Sequence, residues 1–209
     1  MIYLYAVVDE LAGLPDGPGI DGASLERRRA GDFDLVVSEH AAEVEPTEEA
    51  VLTHARVVEE LLPLAGAVLP ARFGVGFEDG TSLERAVGDR AADLDKSLDR
   101  VRGRVEVGVR VVGDQTPPPA ETGREYLEAR QRQLAAIDEL HDSLAARALA
   151  ATRGNSRGQL VMSGAYLVDP EGIPEFQKAV GALQSEHPQL TFALTGPWPP
   201  YSFAEVGES

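Results

Sequence analysis

The side chains best able to do chemistry are four histidines, His40, His54, His141 and His187. None lies four residues from another and no H-E-x-x-H occurs, so a metal site built from them would depend on distant parts of the chain converging. They are expected to face solvent or to be satisfied by hydrogen bonds, and no metal is expected. The segment "FGVGFEDG" carries Gly74, Gly76 and Gly80. Its third glycine falls one position late for G-x-G-x-x-G, and it lacks the Gly-Lys-Ser/Thr of a phosphate-binding loop. A tight turn after a strand is expected instead. Ser163, in "VMSGAY", stands in no G-x-S-x-G elbow and has no base nearby in sequence. Glu39, Glu43, Glu45, Glu48 and Glu49 form a run of charge that reads as a solvated face. The chain has no cysteine, which excludes disulfides, thiolate catalysis and cysteine-ligated zinc. No catalytic, metal or cofactor site is therefore expected.

Arginines are less evenly spread. Arg100, Arg102, Arg104 and Arg110 cluster around one strand, and Arg27 to Arg29 form a second group. On an acidic chain such groups either pair with nearby carboxylates or present a local positive surface to a partner; pairing is the preferred reading. Arg72 stands among apolar neighbours in "LPARFG". Its guanidinium needs a partner or solvent, either by fixing a turn or by stacking on an aromatic ring or clamping a carboxylate.

The elements that must position these residues follow from hydropathy pattern. "IYLYAVV" and "FDLVVSEH" are strands, "AVLPARFGVGF" is a short strand entering a glycine loop, and "RVEVGVRVV" alternates as a half-buried strand. "SLERRRA" is expected as a short helix. Pro46 and Thr47 open a helix with Val51, Ala55, Val58 and Leu62 at helical spacing. Thr81 and Glu84 form a capping-box pattern for a single helix lined by Leu83, Val87, Leu94, Leu98 and Val101. Three prolines in "GDQTPPPAETG" mark a linker. A long helix follows, with Leu127, Leu134, Ile137, Leu140 and Leu144 as its stripe. "TRGNSRG" is a loop, "QLVMSGAYLVD" a strand, "IPEFQKAVGALQSEH" a helix and "LTFALTG" the last strand.

This order predicts an α+β protein of two domains with ferredoxin-like features, small mixed or antiparallel sheets covered by helices. The expected boundaries are 1–113, a linker at 114–123 and 124–209. The 209 residues are 43% hydrophobic, enough for ordinary cores, and carry a net charge of −16. That charge disfavours nucleic acid and anionic membranes as partners. The apolar N-terminus has no basic residues before it and meets an acid within its first ten residues, so a strand is expected there rather than a leader or a membrane span. The chain is expected in the cytoplasm.

The end of the chain, "GPWPPYSF", packs three prolines and three aromatics into one short segment. Such a segment is pre-organised and loses little entropy on docking. Trp198, Tyr201 and Phe203 are expected to pack across the other domain and fix it; the rival use is an exposed aromatic platform for a partner.

Taken in order, "YLYAVV", "VLPARFG", "RVEVGVRV", "GREYLEAR" and "GPWPPYSF" resemble the gas vesicle accessory proteins F and L over nearly the whole chain. "LPARFG" and "GPWPPYSF" are the specific elements; "FGVGF" departs from the more usual FG-T form. The resemblance implies a cytoplasmic, vesicle-associated assembly factor with two α+β domains and no catalytic activity. It implies the major, small hydrophobic shell protein as partner, bound by the first domain, with other gas vesicle accessory proteins as further partners. On that basis the contact surface is expected around Arg72, Phe73, Arg100, Arg102, Arg104 and Arg110. The alternatives are a small-ligand sensor built on paired ferredoxin-like domains, and an enzyme using a carboxylate site.

Overall fold

The computed structural model describes residues 1–114, 122–156 and 158–204. The chain divides into two compact units, one formed by residues 1–104 with 198–209 and the other by residues 105–197.

The first unit is built on β1 (Ile2–Asp9), β2 (Glu26–Ala30), β3 (Phe33–Glu39), β4 (Ala67–Pro70) and β5 (Gly76–Phe77). Its sheet runs β2-β3-β1-β4, with β5 pairing β1 beyond β4. All these pairs are antiparallel. β1 is central, which explains why β-branched and aromatic side chains fill both of its faces and are buried. Helix α1 (Glu48–Leu61) starts at Thr47, whose hydroxyl accepts the Ala50 N–H at 3.1 Å. It packs Ala50, Val57, Val58 and Leu61 into a core with Tyr3, Tyr5, Val8 and Val36. Helices α2 (Gly80–Asp89) and α3 (Ala91–Val101) complete the unit and bury Leu83, Val87, Leu94 and Leu98.

The second unit has the order β6 (Val105–Val112), α4 (Gly123–Ala145), β7 (Ala150–Arg153), β8 (Leu160–Val168), α5 (Ile173–Glu186) and β9 (Thr191–Trp198). Its sheet runs β7-β8-β6-β9. This βαββαβ order with β6 and β8 in the centre is the ferredoxin-like arrangement. Thr122 and Glu125 cap α4 reciprocally.

The α+β class and its ferredoxin-like features are as expected, while several elements differ. Glu26–Ala30 is a strand, because it pairs residue for residue with Phe33–Val37 through a two-residue turn. The expected single helix over Leu83–Val101 is two helices broken at Arg90, whose backbone leaves the helical region. The cap lies at Asp79, which exchanges hydrogen bonds with Ser82, two residues before Thr81. The buried face of α1 is turned by one residue, leaving Val51 43% exposed. In α4 only the second half of the stripe is buried; Leu127 and Leu134 are exposed. Ala150–Arg153 is a strand where helix and loop are expected, because it pairs with β8. Val105–Val112 belongs to the second unit, since its partner along the whole length is β8. Trp198 onward belongs to the first. Most of the expected linker, 115–121, lies outside the described residues.

Candidate functional site

The segment "LPARFG" ends β4 and turns toward β5. Its backbone is tied at several points: Ala71 N–H donates to the Tyr5 carbonyl at 2.8 Å, and Val75 N–H closes the turn on the Arg72 carbonyl at 3.3 Å. Gly74 supplies the turn's positive φ of 89°. Side chains from β1 and α1 clamp the same loop. Gly74 N–H donates to the Tyr3 hydroxyl at 3.2 Å, and that hydroxyl lies 2.9 Å from His54 Nδ1. His54 Nε2 lies 3.0 Å from the Ala71 carbonyl. One proton arrangement satisfies every group: Tyr3 donates to Nδ1 and Nε2–H donates to the carbonyl. Both ends of the relay therefore close on residues 71–74.

Burial makes this relay neutral. His54 is 3% exposed. Desolvation pushes its pKa down to about 4, against the smaller opposing pull of the Ala71 carbonyl. Burial likewise pushes the Tyr3 hydroxyl well above the usual phenol range. The ring of Phe73 packs edge-on to Tyr3 and His54 at centroid distances of 5.9 and 5.8 Å. Phe73 is half-buried against the α1 core while Arg72, beside it, is exposed. The loop thus sets an exposed Arg72 next in sequence to a Phe73 whose ring is fixed against Tyr3 and His54.

Two glycines make room for tyrosines in these cores. A Cβ on Gly19 would sit 2.4 Å from the Tyr5 hydroxyl, which receives the Ile20 N–H at 2.9 Å and meets Ser38 Oγ at 3.0 Å. In the second unit a Cβ on Gly164 would sit 2.7 Å from the Tyr166 hydroxyl, which lies 3.0 Å from His141 Nδ1. His40 meets Ser38 Oγ at 2.8 Å. His54 entered no site prediction, because nothing in one sequence separates a buried histidine from an exposed one.

The expected arginine surface is divided. Arg72, Phe73, Arg100, Arg102 and Arg104 lie in the first unit, and Arg110 lies on β6 in the second. Arg102 bonds Asp9 at 2.7 Å and Asp99 at 3.3 Å. Arg104 donates to the Arg100 carbonyl. The Arg100 guanidinium stands 5.9 Å from the Phe203 ring centroid. The other arginine group is engaged by carboxylates: Arg27 bonds Asp34 at 2.6 Å and Arg28 bonds Glu26 at 3.0 Å and Glu39 at 2.5 Å.

The closing segment is built into the first unit. Tyr201 packs against the α1 core and Phe203 is buried, while Trp198 stays 42% exposed. Burial raises the Tyr201 hydroxyl above the usual range. Among the described residues, no group of three or more histidines and carboxylates is placed to hold a metal ion. No helix among them is long and apolar enough to cross a membrane.

Known proteins share both the sequence and the fold. The family model described as gas vesicle synthesis protein GvpL/GvpF matches residues 1–133 and 120–205. Gas vesicle protein F1 of Halobacterium salinarum is 28% identical over 214 residues, covering 98% of this chain and 93% of that protein. Gas vesicle protein L of a Streptomyces species is 30% identical over 251 residues, covering 99% and 93%. The crystal structure of GvpF from an Anabaena species superposes with a TM-score of 0.82 at 18% identity, covering 99% of this chain and 97% of that one. GvpF from Microcystis aeruginosa gives 0.81 at 20% identity, covering 98% and 99%. At those identities the structures establish the fold, and the sequence matches establish the kinship. The chain belongs to the GvpL/GvpF family of gas vesicle synthesis proteins.

Proposed function

We propose that this chain is a non-enzymatic assembly factor that binds the small hydrophobic shell protein of the gas vesicle, as an escort or a nucleation factor. Membership in a gas vesicle synthesis family supports the process. The observation that carries the contact is the clamped 71–75 loop. Two buried side chains hold its backbone, yet it presents Arg72 to solvent beside a half-buried Phe73. A pre-formed loop binds with little ordering cost, and arginine and aromatic side chains are common anchors at protein interfaces. Arg100 and Arg104 extend the contact within the same unit. Arg110, on the other unit's sheet, is a contact point of its own in this reading. Arg102, exposed on the same unit, is paired with Asp9 and Asp99 and contributes to the contact from that position.

The physical task is to cover an apolar face until it is incorporated. A carrier with net charge −16 stays soluble while doing so. In this reading the protein works in the cytoplasm, at or near the growing vesicle, alongside other accessory proteins.

Co-expression of the full chain with its cognate shell protein, followed by pull-down and size-exclusion of the soluble fraction, tests the proposal. A soluble complex that is lost in Arg72→Glu, with the melting temperature unchanged, is the expected result. A complex that survives Arg72→Glu moves the contact away from the loop. A shell protein that stays insoluble, with nothing co-purifying, overturns the escort role.

A further inference from the structure

A second feature of the first unit shares no residue with the clamped loop. The β2–β3 turn at Gly31 and Asp32 faces the junction of α2 and α3 across a cleft of about 360 Å³. Its floor is apolar and small: Phe33 and Val87 are buried, and Ala91 is half-buried. Its rim carries three exposed carboxylates from three different elements, Asp32 from the turn, Glu84 from α2 and Asp95 from α3. Among the described residues none of these three forms an ion pair, whereas the arginines of the adjoining strand are held by Asp34, Glu26 and Glu39. A Cβ on Gly88, at the cleft wall, would meet nothing within 4 Å.

We infer that this cleft docks an arginine-bearing, small-residue segment of a partner protein. The volume falls at the low end of the range for ligand sites, about 300–1,000 Å³. It suits one long side chain with its immediate neighbours. An arginine stem lies well on an apolar floor while its planar fork pairs with carboxylates. Lysine is more strongly hydrated and pairs through a single point. The charge also decides against a second copy of this chain, since two bodies of net charge −16 repel.

The test titrates the 15N-labelled full chain with the peptide acetyl-Ala-Ala-Arg-Ala-Ala-amide and follows its amide spectrum. The expected result is a saturable shift confined to Gly31, Gly88, Ala91, Ala92 and their neighbours. The corresponding glutamate peptide produces none. The E84Q/D95N variant weakens binding at least threefold. Gly88→Leu fills the cleft and abolishes binding, and its melting temperature stays equal or rises because leucine is the better helix former. The inference is overturned by any of four results: shifts scattered over the acidic surface, no shift at saturating peptide, binding retained in Gly88→Leu, or arginine amide binding as tightly as the peptide. The last result would mark a site for a small cation instead of a protein segment. None of these readings involves the shell protein or Arg72, so this inference and the escort proposal fail separately.

Discussion

The two units each join a tyrosine on a strand to a histidine on a helix, and they bury that pair to different depths. In the first, Tyr3 on β1 meets His54 Nδ1 at 2.9 Å, and the other ring nitrogen is used by the Ala71 carbonyl. In the second, Tyr166 on β8 meets His141 Nδ1 at 3.0 Å, and the ring stays half-exposed. Desolvation lowers both histidines. Only His54 is driven down to about 4. The Arg153 guanidinium adds a second downward push on His141, while Asp142 and Asp138 pull the other way. The same contact therefore does different work. In the second unit it ties a helix to a strand. In the first it also fixes the backbone of the loop that carries Arg72.

Truncation separates the two most strongly. His54→Ala removes a fully buried ring and leaves the Ala71 carbonyl without its donor. A loss of about 4 kcal/mol is expected, as for other buried ring truncations. His141→Ala removes one hydrogen bond at a half-exposed position, and about 1 kcal/mol is expected. Urea unfolding of both variants measures the ratio. Equal losses would mean that the depth of burial does not govern these pairs.

Acid gives the next largest separation. The His54 value is depressed in the folded state, so the unfolded chain takes up the proton first. The contribution is complete above an ordinary histidine value of about 6.5 and is lost as pH falls toward 4. Over that span, at about 1.4 kcal/mol per pH unit, the loss is about 3 kcal/mol. His54→Gln is expected to flatten this part of the urea-midpoint profile against pH. His141→Gln is expected to change it less. A profile in the His54 variant that still falls steeply between pH 6.5 and 4 would assign the acid sensitivity to carboxylates.

The sequence shows the strands around Tyr3 and Tyr166 by their β-branched and aromatic content, and α4, β8, α5 and β9 of the second unit by their hydropathy. What it hides is set by tertiary pairing. "ERRRA" has the composition of a helix, and becomes β2 only because β3 lies two residues away with an open edge. Ala150–Arg153 is too short and too weakly patterned to stand out from the helix before it. The burial of His54 has no local signal either, since its neighbours Thr53 and Ala55 resemble those of an exposed helical face. The loop itself is legible through "LPARFG", but the clamp beneath it is not, because Tyr3 and His54 are 51 residues apart. The three carboxylates of the cleft come from residues 32, 84 and 95, which no window along the chain brings together.

The closing segment sharpens the comparison from the other end. It leaves the second unit's last strand and completes the first unit's core, so its loss should register only there. Phe203 is buried and Arg100 stands over its ring. Phe203→Ala is expected to cost about 2 kcal/mol, less than a central core ring because the segment can relax around the gap. Arg100→Ala is expected to cost under about 1 kcal/mol, the size of an exposed cation–π contact. Hydrogen exchange locates the effect. Amides of β4, α1 and the 71–75 loop should lose protection in Phe203→Ala, while those of β6 and β8 keep theirs. If β6 and β8 lose protection equally, the segment stabilises both units together and the division between them is thermodynamically weaker than the division of their cores.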